Sequence, residues 1–360
     1  MPAGQHLLPL LGAPEYAQQM QLADWDGTLR LARQARVLGM LSHRLRVNEA
    51  LWSAIPEPVR DHLQAAINYA AYRAHLVRTE LRDLECALPS DLPITLLKGA
   101  AYLLQDIPQA RGRSPNDVDL LVRRADLNRA EIALKTAGWQ AEAKDAYDER
   151  YYREWSHELP PLRYPGHPLE VDLHHTIAPI TSQTRADDKL LFSDLRPITG
   201  SRFLVLCPAD QIIHAIIHLF QDSELDGELR GLVDIDALLR TYLRSNADWQ
   251  ALIERAHQHQ ATRLLWYALH YCHSWLKTPI PMDLTLSKPP IAARVAFDWT
   301  FERICPPRLP DTGLSLTQGL AAQAAKVRYH SLRMPPALLA QHLLHKGWIA
   351  VSSRHRGSKQ

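Results

Sequence analysis

Residues 94–123 read ITLLKGAAYLLQDIPQARGRSPNDVDLLVR, and this stretch decides how the rest of the chain is interpreted. Two apolar runs, 94–97 and 118–122, flank a polar loop, and their length and branched side chains predict two buried strands. Asp117 and Asp119 alternate with the apolar residues of the second run. Successive side chains on a strand point to opposite faces, so we expect both carboxylates on one face.

A second acidic strand is predicted downstream, where residues 168–175 read PLEVDLHH. Its alternation places Glu170, Asp172 and His174 on one face and apolar residues on the other. If this strand pairs beside the first, a further carboxylate joins the two earlier acids. Carboxylates this close repel each other, which either raises a pKa or calls for a divalent cation such as Mg²⁺ or Mn²⁺.

The order of these motifs resembles that of a known superfamily. LLKGAA, an arginine-containing loop, NDVDLLV and EVDLHH follow one another as in the nucleotidyltransferases typified by DNA polymerase beta. Within that superfamily the chain most resembles the bacterial family of uncharacterised nucleotidyltransferases, over residues 90–180 and a helical segment that extends to about 245. The resemblance implies an α+β fold, in which a polymerase beta-like mixed sheet is flanked by helices.

The resemblance and the hydrophobic pattern together divide the chain into four regions. We expect N-terminal helices over 1–90, the nucleotidyltransferase catalytic module over 91–206, a C-terminal helical region over 207–350 and a disordered tail over 351–360.

The resemblance also implies an activity, the metal-dependent transfer of a nucleoside monophosphate from an NTP, with ATP as the expected donor and pyrophosphate as the product. It implies that Asp117, Asp119 and Asp172 are catalytic. Those three acids and Glu170 are the candidate ligands for two Mg²⁺ or Mn²⁺ ions. We prefer Asp172 to Glu170 as the third acid because it lies deeper in its apolar run. Ala100 replaces the serine usual in this loop of the superfamily, so a nucleotide-binding or regulatory module with little or no turnover is the alternative.

Several residues around the glycine and the following loop are candidates for contacting the NTP phosphates. A glycine at the start of a helix lets an anion approach unpaired N–H groups, although a simple tight turn would also explain it. Arginine side chains match phosphate oxygens, and a lysine or serine could replace the missing serine contact. The candidates are Lys98, Gly99, Arg111, Arg113 and Ser114, and of the two arginines we favour Arg111.

The composition narrows the class of protein but not the acceptor. The 360 residues carry a formal net charge of +2, which gives no strong nucleic-acid signal. The sequence has no apolar run long enough to span a bilayer, and its four cysteines are scattered. We also expect no signal peptide, because residues 1–19 lack a basic region followed by a long apolar core. We therefore expect a cytoplasmic protein without a membrane partner. The acceptor (a small molecule, a sugar, a peptide or a protein) and the oligomeric state stay open.

Helices account for the rest of the pattern. Apolar residues at helical spacing predict one helix over 16–46 and another over 57–88, whose Arg73 we expect on a solvated face. His214, His175 and Asp234 are interpreted as structural residues, with Asp234 a partner of the catalytic module. Further helices are predicted at 125–137, from 208 onward, and over 228–244, 248–258, 261–276 and 337–350.

Overall fold

The computed structural model describes residues 6–141, 150, 152–182, 184–221 and 223–333. Within these ranges the chain forms a mixed sheet of seven short strands flanked by helices, which confirms the α+β class. The strands lie across the sheet in the order β3-β4-β5-β2-β1-β7-β6. In chain order they are β1 Thr95–Leu96, β2 Asp117–Leu121, β3 Gln140–Ala141, β4 Leu162–Arg163, β5 Glu170–His174, β6 Arg196–Pro197 and β7 Leu204–Val205.

The two acidic strands are neighbours in this sheet. β2 and β5 run parallel, with five residues of each in register. β1 pairs antiparallel with the other side of β2, and β4 and β5 form an antiparallel hairpin. The apolar residues of both acidic strands, including Val118 and Leu173, are fully buried. Burial of this apolar face fixes the register, because a slip of one residue would carry the acids into the core.

The N-terminal region is helical, but its first predicted helix is wrong in extent. Residues 16–46 form the end of a short 3₁₀ helix and two separate α-helices, because the chain turns through a left-handed conformation at Arg36 (φ 57°). The apolar spacing continues across this break, so periodicity alone could not locate it. The α-helices of this region are α1 Leu7–Gly12, α2 Leu22–Gln34, α3 Leu38–Arg46, α4 Glu49–Ala54 and α5 Glu57–Ala87.

The remaining helices flank the sheet and then form the C-terminal region. They are α6 Lys98–Leu104, α7 Leu127–Thr136, α8 Asp188–Ser193, α9 Pro208–Phe220, α10 Leu229–Tyr242, α11 Asn246–Gln258, α12 Thr262–Leu276, α13 Ile291–Ile304 and α14 Leu316–Arg333. The predicted helices between 125 and 276 are therefore confirmed to within a few residues. Within the described ranges, no helix combines the length and apolar character needed to cross a membrane. The predicted helix over 337–350 and the tail over 351–360 lie outside those ranges.

Helix α5 anchors the loop that leads into β2. Arg73 lies on this helix and is buried, so the expectation of a solvated side chain is wrong. Its guanidinium donates two hydrogen bonds, of 3.0 and 2.6 Å, to the carbonyl oxygen of Pro115. A buried guanidinium must find acceptors, and here the acceptor is the backbone two residues before Asp117. This contact fixes where β2 begins.

Gly99 is constrained by packing. A Cβ atom added there would collide with a terminal nitrogen of Arg113 and would lie 2.9 Å from Cγ of Pro115. Both neighbours are held in place, Pro115 by Arg73 and Arg113 by an ion pair with Asp234. Close contact with the loop before β2 is thus a third explanation for a glycine at position 99, in addition to a tight turn and phosphate binding.

We predict that Gly99→Ala lowers the free energy of unfolding by about 1–3 kcal/mol, the usual cost of overpacking a filled site. The matched control is Gly319→Ala in α14, where an added Cβ meets nothing within 4 Å, and which should be neutral or slightly stabilising. Urea unfolding of both variants measures the difference. Equal stability of Gly99→Ala and the unaltered chain would contradict the packing argument.

Candidate active site

Four carboxylates form a row on one face of β2 and β5. The parallel register sets Asp117 opposite Glu170 and Asp119 opposite Asp172. Paired residues on adjacent strands share a face, so the row follows directly from the pairing. The structure thus brings together all the acids that the sequence nominated as catalytic residues or metal ligands.

Asp119 is the most buried member of this row, at 1% exposure. Its Oδ1 accepts hydrogen bonds from Lys98 Nζ at 2.7 Å and from His174 Nε2 at 3.0 Å. Burial by itself would raise the pKa of Asp119, but the charge of Lys98 and the contact with His174 hold it well below the usual range. Asp119 is therefore an ionised carboxylate with a built-in counterion.

Asp172 has the opposite electrostatics. Burial, followed by the negative charges of Asp119, Glu158 and Asp117, raises the pKa of Asp172 to about 8. The raised pKa expected among closely spaced acids is therefore found at Asp172, on β5. Asp172 takes up the proton because Lys98 and His174 both donate to Asp119.

Glu170 lies at the more exposed end of the row. Its side chain is 46% exposed, and Oε1 accepts a hydrogen bond from Arg163 at 2.6 Å. Asp172, in contrast, is largely buried and points one oxygen, Oδ1, into the protein without a hydrogen-bond donor. This difference supports Asp172 over Glu170 as the third acid.

The row suits a divalent cation by the chemistry of its donors. Among the described residues, Asp119 Oδ2 and Asp172 Oδ1 are buried oxygens with no hydrogen-bond partner. These two acids are direct partners across β2 and β5. Buried carboxylate oxygens without donors are costly, and an oxygen-preferring cation such as Mg²⁺ would satisfy them. The residues present therefore fit such an ion.

Two of the predicted phosphate ligands, Lys98 and Gly99, lie at the start of α6. Lys98 has a left-handed backbone conformation (φ 42°), and its ammonium faces Asp119. The guanidinium of Arg113 packs against Gly99, in the space that a Cβ atom would occupy. Burial would lower the pKa of Lys98, but the carboxylates of Asp119, Glu158 and Asp117 raise it, so this side chain stays charged. The positive charge of Lys98 is therefore already balanced by the carboxylate of Asp119.

The predicted loop arginines both have partners within the chain. Arg113 is buried, and its Nε donates to both oxygens of Asp234, at 3.1 and 2.9 Å. This ion pair is the structural partnership expected of Asp234. Arg111 lies on the surface and forms a two-point contact with Asp106. Arg111 is thus the arginine that could be released towards a ligand at lower cost, in keeping with the preference for it.

Ser114 borders a separate groove of about 490 Å³ between α2, α3, α5 and the loop before β2. Basic and aromatic side chains line it, and one lining residue, Asn116, is the sequence neighbour of Asp117. The polar lining residues are Arg33, Arg36, His62, Tyr69, Ser114 and Asn116.

Two site residues, His157 and Glu158, were not found from the sequence. Glu158 forms an isolated antiparallel bridge with His174, which brings its carboxylate to 3.4 Å from His174 Nε2. The only sequence signal is the dipeptide His157-Glu158 ahead of the hairpin, and a single bridge leaves no periodic pattern. His214, interpreted as a packing residue, is indeed buried, and burial together with the charge of Lys98 sets its pKa well below the usual value.

The comparisons with known proteins support one family. The family described as "uncharacterised nucleotidyltransferase" matches residues 21–277. This range includes the acid row, the loop before it and helices α2 to α12. No curated protein and no solved structure matches the chain.

The pKa of Asp172 leads to a pH-dependent prediction. Its value of about 8 in the folded chain compares with about 4 for an unfolded aspartate. Between these values the unfolded chain has lost this proton and the folded chain keeps it, so each pH unit lowers the free energy of unfolding by up to ~1.4 kcal/mol. Asp172→Asn should therefore equal the unaltered chain near pH 4 and exceed it by a few kcal/mol near pH 8.

Urea unfolding in EDTA across this range measures the difference. Glu170→Gln is the control, because its exposed carboxylate pairs with Arg163 and should produce no gap that widens with pH. A constant difference between Asp172→Asn and the unaltered chain would show that the pKa of Asp172 is the same in the folded and the unfolded chain.

The Lys98–Asp119 pair leads to a second prediction. Lys98→Met leaves a buried carboxylate without its counterion, a change that typically costs about 3–5 kcal/mol of stability. Asp119→Asn in the same chain should recover much of that loss, giving a large coupling in a double-mutant cycle. The exposed pair Arg111–Asp106 serves as the control and should show little coupling. Additive effects at Lys98 and Asp119 would exclude the pairing.

Proposed function

The chain belongs to the uncharacterised nucleotidyltransferase family, and we propose that it transfers a nucleoside monophosphate from an NTP to an acceptor hydroxyl or phosphate, with release of pyrophosphate. The observation that carries this proposal is the in-register pairing of β2 and β5, which sets Asp117 and Asp119 beside Glu170 and Asp172. Several carboxylates on one partly buried face, two of them with buried unpaired oxygens, suit a divalent cation better than a structural role.

Asp117, Asp119 and Asp172 are the residues that would hold Mg²⁺ or Mn²⁺, with Glu170 at the exposed end. Such an ion would neutralise phosphate charge and lower the pKa of the attacking hydroxyl. Asp172 is also the candidate general base, a role that its carboxylate could take once a bound cation had displaced its proton. Lys98 positions Asp119 and presents a positive charge beside the row.

The donor we propose is ATP or another NTP, and the groove beside Ser114 is the proposed surface for part of the substrate. Its arginines match phosphate or other anionic groups, and the exposed ring of Tyr69 offers a stacking surface. Asn116 lines the groove and directly precedes Asp117, the first acid of the row, in the sequence. The acceptor class is left to the assay, which tests small molecules, sugars, peptides and proteins together.

A nucleotide-binding or regulatory module is the second candidate, and a specific observation favours it. Lys98 and Arg113, two of the predicted phosphate ligands, are buried and paired with Asp119 and Asp234. Ala100, where the superfamily usually has serine, is buried and offers no hydroxyl. Metal-dependent NTP binding would be common to both candidates, whereas release of pyrophosphate occurs only in the enzyme.

The test is incubation with each radiolabelled NTP, Mg²⁺ or Mn²⁺ and a native lysate, with pyrophosphate measured alongside. Asp172→Ala should lower turnover by about 10²–10⁴-fold, the usual cost of removing a general acid–base group. Glu170→Ala is the matched control on the same strand and should have a milder effect, because its carboxylate is exposed and paired with Arg163. Asp117→Asn and Asp119→Asn should also abolish turnover.

Calorimetry separates the remaining outcomes. NTP binding that needs Mg²⁺ but gives no pyrophosphate with any acceptor fraction would favour the binding module. Equal NTP affinity in EDTA and in Mg²⁺ would exclude the proposed role of the acid row. A larger loss from Glu170→Ala than from Asp172→Ala would reverse the assignment of the third acid.

A further inference from the structure

A cluster of two histidines and one glutamate lies beside the acid row. The potential ligand atoms of His157, Glu158 and His174 all lie within 4.8 Å of one another. Glu158 Oε2 is 3.5 Å from His157 Nε2 and 3.4 Å from His174 Nε2. This cluster uses two residues that the proposed transfer reaction does not require.

The spacing in this cluster matches that of ligands around a small cation. Imidazole nitrogens and carboxylate oxygens bind Zn²⁺ at about 2.0–2.2 Å, which puts ligand atoms in a tetrahedral site roughly 3.3–3.6 Å apart. The two measured distances from Glu158 Oε2 fall within that range. The third spacing, between the two imidazole nitrogens, is at most 4.8 Å, so side-chain movement would close the cluster around an ion.

The backbone holds the ligands in place. Glu158 and His174 form an antiparallel bridge, and the flanking hydrogen bonds run from Leu159 N to Leu173 O and from His175 N to His157 O, both at 2.9 Å. His157 and His174 are almost fully buried, whereas the Glu158 side chain is 27% exposed. Two fixed buried imidazoles with one accessible carboxylate form a preorganised site that an ion can enter from the Glu158 side.

The chemistry of the ligands separates this cluster from the acid row. Imidazole nitrogen is a preferred ligand of Zn²⁺ and its transition-metal neighbours, whereas Mg²⁺ prefers oxygen ligands. His174 Nε2 donates a hydrogen bond of 3.0 Å to Asp119 Oδ1, so an ion that binds this nitrogen would have to replace that proton. Two His and one Glu, with another donor or water in the fourth position, are a common ligand set for zinc.

We propose that His157, Glu158 and His174 bind one transition-metal dication of the Zn²⁺ class, at a position next to the proposed Mg²⁺ row and distinct from it. The site requires neither an NTP nor turnover, so it stands or falls separately from the proposed nucleotidyl transfer.

The experiment uses the full chain, stripped with EDTA and dialysed, without nucleotide. Co²⁺ is titrated in as a visible probe, and Zn²⁺ is then added to displace it. The acid row would also take up Co²⁺, so the titration is carried out in excess Mg²⁺. Under these conditions we expect one equivalent of Co²⁺ with the intense visible bands of a low-symmetry, tetrahedral-like site, and its displacement by Zn²⁺.

The variants test which residues hold the ion. Glu158→Gln removes the charged carboxylate but keeps the size and shape of the side chain. His157→Gln removes a buried imidazole ligand. Each should weaken Co²⁺ binding by more than about 10–100-fold, the loss expected from removing even an outer-shell partner. His175→Gln is the matched control, since His175 is also buried but contacts the carbonyl oxygen of Ser156. Circular dichroism confirms that each variant is folded.

Two outcomes would overturn the proposal. One is the absence of a bound equivalent in the unaltered chain, which would make the cluster an internal network between His174 and its two carboxylates. The other is binding that survives Glu158→Gln but is lost in Asp172→Asn, which would place the ion within the acid row. If His157→Gln does not fold, Glu158→Gln and the control decide the question.

Discussion

The structure depends on one electrostatic constraint: carboxylates packed side by side on two parallel strands cannot all be ionised without compensating charge. The pairing of β2 with β5 creates this crowding, and burial of the opposite apolar face prevents the strands from shifting to relieve it. The chain answers in two ways. Lys98 and His174 neutralise Asp119, whereas Asp172 takes up a proton.

Much of the surrounding structure serves to hold that arrangement. Arg73 fixes the loop before β2 through Pro115, and Arg113 ties the same loop to α10 through Asp234. Gly99 has no Cβ, and this lets the Arg113 guanidinium approach the start of α6. The N-terminal helices, the sheet and the C-terminal helices are thus connected by buried cations, each with acceptors from another part of the chain.

The sequence predicted what depends on local periodicity and missed what depends on contacts between distant residues. The two-residue period of a strand located Asp117, Asp119 and Asp172 on one face of their strands. The recurrence of apolar residues every three to four positions located most of the helices. The pairing of Lys98 with Asp119 and the burial of Arg73 join residues far apart in the chain, so no local pattern reveals them. The break at Arg36 escaped because apolar residues continue across it, and Glu158 reaches the site through one isolated bridge.

The asymmetry between Asp119 and Asp172 also bears on how a cation would bind. Asp119 is ionised and already has a counterion, so an arriving cation competes there with Lys98 for one oxygen but finds the other unpaired. Asp172 is protonated at neutral pH, so a cation that binds its carboxylate must displace a proton. Binding would therefore be coupled to proton release and would strengthen as the pH rises towards about 8. The negative charge of Asp172 is unfavourable in the metal-free chain because of burial and the neighbouring carboxylates, and a bound cation would offset that charge.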